Sequence, residues 1–100
     1  MTILSTLQTL STTLRAYSFN FRDELELHDL LEQAMAADGW VVEREVKLSE
    51  KDRIDFVVHR KDAGGVVGVE VKVKASVANV ERQLRRYAAH ERIEGLLVVS

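Results

Sequence analysis

The sequence predicts an α/β domain: a leading helix, a second helix, three strands, a third helix and a last strand, which together build a mixed four-stranded sheet flanked by helices. Three observations predict it. Apolar residues recur at helical spacing up to Gly39, and beyond Gly39 the period drops to two. Near the end, a further helical stretch separates the third strand from the apolar run Gly-Leu-Leu-Val-Val.

Residues 2–17 set Leu4, Leu7, Leu10 and Leu14 on one helical stripe, but the Ser and Thr between them are indifferent helix formers, so this helix depends on packing. From Arg22 to Asp38 the first turns are acidic, as the helix dipole favours, Leu27, Leu30, Leu31 and Ala34 form the apolar stripe, and Gly39 ends the helix. Trp40, Val42, Val46 and Leu48 then alternate with Val41, Glu43, Glu45 and Lys47 in a first strand. After the turn Ser-Glu-Lys-Asp, Ile54, Phe56 and Val58 alternate with Asp55, Val57 and His59 in a second. Lys-Asp-Ala-Gly-Gly supplies the next turn and residues 66–73 the third strand, so the three make a meander of hairpins.

Ser76 is expected to cap a helix running to about His90, with Val77, Val80, Leu84 and Ala88 as its apolar stripe. The last strand, residues 95–100, carries no charge and reads as buried on both faces. With the helix before it, it forms a right-handed βαβ crossover onto the third strand.

One hundred residues suit one domain, residues 22–100 forming the core and 1–21 a helical extension. A 46% hydrophobic, 30% charged composition is that of a soluble globular chain, and a net charge of -2 excludes a strongly basic coat, so any phosphate contact needs a local patch. The absence of cysteine excludes disulfides, thiolate zinc sites and a cysteine nucleophile. The start lacks the charged and apolar regions of a signal peptide and no apolar run is long enough to span a bilayer, so a cytoplasmic location and no membrane partner are expected.

Charged residues are depleted from strand interiors, yet Asp55, Glu70 and Lys72 stand inside these strands. Glu70 and Lys72, two apart, share one face of the third strand, and Asp55 joins them if the hairpin register sets the odd side of strand two beside the even side of strand three. Two carboxylates on neighbouring strands suit a hard divalent cation, Mg²⁺ or Mn²⁺, which takes oxygen ligands and keeps several waters. A lysine beside them can deprotonate a water or offset charge on a phosphate, and both roles stay open.

Asp55, fourteen intervening residues, then Glu70-Val71-Lys72, within the order helix, three strands, helix, strand, resembles the PD-(D/E)XK superfamily of restriction-endonuclease-like nucleases. The resemblance spans nearly the whole chain and implies a restriction-endonuclease-like αβββαβ core preceded by an N-terminal helix. It also implies that Asp55, Glu70 and the Val71 carbonyl bind the catalytic metal, and that Lys72 acts at the attacking water. A further acid from the first core helix is implied, Glu26 by its place beside Leu27, with Glu24 as rival. Ile54 stands where the name-giving proline would be. Gln-Leu-Arg-Arg-Tyr resembles the QxxxY motif of RecB-type members, in which Gln83 and Tyr87 share a helix face and either position the site or touch DNA.

Arg82, Arg85 and Arg86, with Lys74 and Arg92, form a basic cluster able to grip phosphates, although Glu81 lies one turn before Arg85 and can pair with it. Glu43 and Glu45 read as surface partners of Arg44 and Lys47. His28, His59 and His90 show no metal-ligand spacing and read as surface or core histidines. The expected function is a Mg²⁺- or Mn²⁺-dependent DNA nuclease whose nucleic-acid contacts come from Lys74, Arg82, Gln83, Arg86 and Tyr87, with a homodimer expected from the small size. The alternative is a non-catalytic DNA- or protein-binding module of the same fold from a phage or mobile-element system. A metal-binding test separates the two.

Overall fold

The computed structural model describes residues 2–15, 23–61, 65–72 and 77–99, with side chains for all of these except residues 15 and 77–80. Its elements follow the expected order: α1 (Ile3–Arg15), α2 (Glu24–Ala37), β1 (Val41–Lys47), β2 (Arg53–His59), β3 (Val67–Val71), α3 (Val77–Ala88) and β4 (Gly95–Val99). The strands lie in the order β1-β2-β3-β4, antiparallel as far as β3 and parallel between β3 and β4. The expected cap at Ser76 lies outside the described residues.

α2 starts where Asp23 accepts the Glu26 N–H at 2.8 Å. It stops where Gly39, at φ +91°, takes the left-handed conformation that a side chain would resist and bonds back to Ala36. α1 and α2 cover one face of the sheet. There Leu10, Leu14, Leu27, Leu31 and Met35 meet Phe56, Val58, Val67, Val69 and Val71. Leu4, expected on the stripe, is 63% exposed. Burying side chains of this size is worth about 1.5–3 kcal/mol each, which is how a Ser- and Thr-rich α1 holds its helix. No helix among the described residues is long and apolar enough to cross a membrane.

α3 covers the other face, where Tyr87 and Ile93 meet Leu48, Ile54 and Val57. The expected stripe through Ala88 is displaced: Ala88 is exposed and Tyr87 is buried, because the hydroxyl of Tyr87 finds a backbone acceptor on β2. β4 also departs from expectation. It is an edge strand among the described residues, half-buried along its length with Val98 37% exposed, because it has a neighbour on one side only.

The pleat of β1 and β2 slips at one level. Arg44 and Phe56 are paired and turn to the α2 side, Arg44 toward Asp29 and Glu32 of α2 and Phe56 into the core beneath it. Val46 and Ile54, the next pair but one, turn instead to the α3 side. Residues two apart on a regular strand share a face, so both strands change phase between these pairs, at Glu45 and Asp55. Glu45 has φ +53°, in the left-handed region. Gly68 receives the displaced Ile54, since a Cβ there would stand 2.6 Å from Ile54 Cδ1.

Candidate active site

The β2–β3 ladder runs from Val58↔Val67 to Phe56↔Val69, so by continuation Asp55 stands opposite Glu70. At that level side chains replace the ladder. Val71 donates its N–H to Asp55 Oδ2 at 2.7 Å, and Asp55 donates its N–H to Glu70 Oε1 at 3.3 Å. The register the sequence required is therefore present, and Asp55 and Glu70 meet in the gap between two strands.

Glu70 is 2% exposed. Burial, reinforced by the neighbouring Asp55 carboxylate, pushes its pKa up to about 7, against weaker stabilisation of the charged form by Lys72 and the Tyr87 hydroxyl. Lys72 Nζ lies 3.6 Å from Glu70 Oε2, and the Lys72 N–H is held by the Val99 carbonyl of β4. The three residues singled out on the sheet are thus together.

On the α2 side, His28 Nε2 lies 3.8 Å from Asp55 Oδ2 and 3.7 Å from Glu24 Oε1. This nitrogen is buried and has no hydrogen-bond partner, and the ring meets Phe56 edge-on at 5.6 Å between centroids. His28, read from the sequence as a surface or core histidine, is buried, and its position one turn after Glu24 sets it between Glu24 and Asp55. Glu24, the rival, stands at this corner through His28, and Glu26 lies two residues and about 200° further round the helix.

Tyr87 is 1% exposed; it donates to the Arg53 carbonyl at 2.8 Å and accepts from Gln83 Nε2 at 2.6 Å. Burial, and then the charge of Glu70, pushes the phenol up to about 12, so it remains a neutral donor beside the site. This ring has no free surface for a nucleic acid. Gln83 is partly exposed.

The basic cluster is largely engaged by acids. Arg86 pairs with Asp52 at 2.9 Å, Arg85 with Glu81 at 3.0 Å and Arg92 with Glu43. Arg82 is exposed, and Lys74 lies outside the described residues. Glu43 thus serves Arg92 rather than Arg44, which pairs with Asp29 and Glu32 of α2. His90 hydrogen-bonds the Leu48 carbonyl at 2.6 Å and, with Arg86 and Tyr87, ties α3 to the segment leading into β2.

Among the described residues no three His, Asp or Glu side chains form a ready-made cation cage. The two carboxylates brought together across the strand gap do fit a hard cation that takes one or two protein oxygens and keeps most of its waters.

No curated protein and no solved structure matches the chain. A family model described as the PD-(D/E)XK nuclease superfamily matches residues 7–94, a span that includes Asp55, Glu70 and Lys72. The chain belongs to the PD-(D/E)XK nuclease superfamily.

Proposed function

We propose that the protein is a metal-dependent nuclease that hydrolyses phosphodiester bonds in DNA, with Asp55, Glu70 and the Val71 carbonyl holding Mg²⁺ or Mn²⁺. The observation that carries this reading is the Glu70 carboxylate. It is 2% exposed, it faces Asp55, and burial together with the Asp55 carboxylate raises it to about 7 even with Lys72 beside it. A buried carboxylate beside a second, partly exposed one costs stability that a cation restores. A module that never met a cation would bear that cost with no return.

When bound, the metal supplies positive charge at the scissile phosphate and a more acidic water. Lys72, with its Nζ 3.6 Å from Glu70 Oε2, orients or deprotonates the attacking water and offsets charge that builds on the phosphate. A helix residue completes the shell. Glu26 and Glu24 are the acidic candidates, and the approach of Glu24 to His28, which itself lies 3.8 Å from Asp55, favours Glu24. Arg82, Arg86, Lys74 and Gln83 contact the strand, Arg86 after exchanging Asp52 for a phosphate. Tyr87 acts from behind, holding the Arg53 carbonyl and with it the start of β2.

The test is incubation of the purified protein with supercoiled plasmid, single-stranded DNA and RNA, in Mg²⁺, in Mn²⁺ and in EDTA. Cutting of DNA in metal that stops in EDTA is expected. Intact DNA in both metals, with a folded protein, would sink the reading in favour of a binding module.

A further inference from the structure

We infer that Glu45 is a positioning residue that acts through its backbone: its left-handed conformation slips the pleats of β1 and β2 together and turns Asp55 into the gap between β2 and β3, where it meets Glu70. This rests on the reading of Asp55 and Glu70 as a metal pair and adds to it the device that aims one member.

The argument runs along the two strands. The pairs Arg44↔Phe56 and Val46↔Ile54 flank Glu45 and Asp55, so the register places these two residues opposite one another. The first pair faces α2 and the second faces α3. An unbroken antiparallel pair cannot do this, because residues two apart share a face. One residue per strand must absorb the change of phase, and on β1 it is Glu45, at φ +53°. This conformation is uncommon for a side chain other than Gly, Asn or Asp, and it persists only where the surroundings hold it.

The side chain of Glu45 does not explain the conformation. It is exposed, and no hydrogen bond or ion pair engages it among the described residues. What the conformation achieves lies across the ladder. With a regular pleat, Asp55 would project beside Glu70 on the α3 face, and Ile54 would turn away from Gly68. With the slip, Ile54 packs over Gly68, and Asp55 accepts the Val71 N–H while standing 3.8 Å from His28 of α2. The carboxylate is thereby reached from the α2 layer as well as from β3.

The experiment compares wild type with Glu45→Gly and Glu45→Asn, which accept the left-handed region, and with Glu45→Val, whose β-branch resists it. Two quantities are read: Mn²⁺ affinity by calorimetry, and hydrogen-exchange protection of the Val71 and Asp55 amides in metal-free protein, with Val57 and Val69 as controls for the fold. Glu45→Gly and Glu45→Asn are expected to keep both, whereas Glu45→Val loses protection at Val71 and weakens Mn²⁺ binding about tenfold or more, as loss of a supporting residue does elsewhere. Wild-type affinity and protection in Glu45→Val would overturn the inference, and so would loss of both in Glu45→Gly, which would put the role in the carboxylate. If wild type binds no Mn²⁺, the metal reading fails and the amide comparison alone decides the positioning. If Glu45→Val does not fold, Glu45→Gly decides: unchanged Mn²⁺ affinity with a raised unfolding temperature supports the inference, and a weakened affinity overturns it.

Discussion

Asp55 and Glu70 each accept a main-chain N–H that belongs to the opposite strand, Val71 N–H to Asp55 at 2.7 Å and Asp55 N–H to Glu70 at 3.3 Å. The two carboxylates occupy the place of the next ladder bonds. Neither is simply a charged side chain on an outer face. The β2–β3 ladder ends at Phe56↔Val69, and at the next level the N–H donors hold the acids while desolvation of Glu70 works against them.

That conflict sets a pH dependence for the metal-free protein. The folded state holds the Glu70 proton to about 7, against an ordinary 4.5. Between these values the folded state binds more protons than the unfolded one, so stability falls as pH rises through that window, by on the order of 3 kcal/mol at most. Urea unfolding in EDTA from pH 5 to pH 8 should show the decline in wild type and its loss in Glu70→Gln. An equal slope in both would assign it elsewhere.

Cation binding should release a proton over the same range. Below about pH 7 Glu70 must give up its proton to serve as a ligand, so Mn²⁺ affinity rises with pH up to that point and levels above it. Calorimetry at pH 6 in buffers of different ionisation enthalpy should register proton release, and at pH 8 almost none. Equal release at both values would count against Glu70 as a ligand.

Tyr87→Phe isolates the hydroxyl that α3 lends to β2. It removes the bond to the Arg53 carbonyl and the one from Gln83, at a cost of about 1–3 kcal/mol. Because the ring is buried, DNA affinity measured in EDTA should not change, while the rate of cutting falls. A selective loss of DNA affinity with full stability would show that Tyr87 meets the strand itself.

The helix contribution divides two neighbouring acids. Glu24→Gln and His28→Ala should each weaken Mn²⁺ binding, by about tenfold for a lost supporting contact, and Glu26→Gln much less. The reverse order in the same titration would restore Glu26 as the helix acid.

That Asp55 lies opposite Glu70, with Lys72 beside it, was legible because hairpin order is local and one register condition sets the level; that Asp55 stands in the gap and not on the shared face was not. The rotation of α2 about its own axis was not legible, and it brings His28 to Glu24 and Asp55. Nor was the engagement of the arginines, since Asp52 and Glu43 reach Arg86 and Arg92 only through the fold. The phase slip in β1 and β2 left no mark, because a glutamate rather than a glycine carries the left-handed conformation. The last strand was read as doubly buried from its apolar residues alone, and composition does not say whether a strand has one neighbour or two.

The most direct test of the nuclease reading is cutting by Lys72→Ala beside wild type, with supercoiled plasmid and single-stranded DNA in Mg²⁺ or Mn²⁺, and with Mn²⁺ affinity measured on the same samples. Wild type is expected to cut only with metal, and Lys72→Ala to bind Mn²⁺ yet lose cutting by about a hundredfold or more, as expected for a group acting on the attacking water. Equal cutting by the two proteins, or a folded wild type that neither cuts nor binds Mn²⁺, would contradict the account.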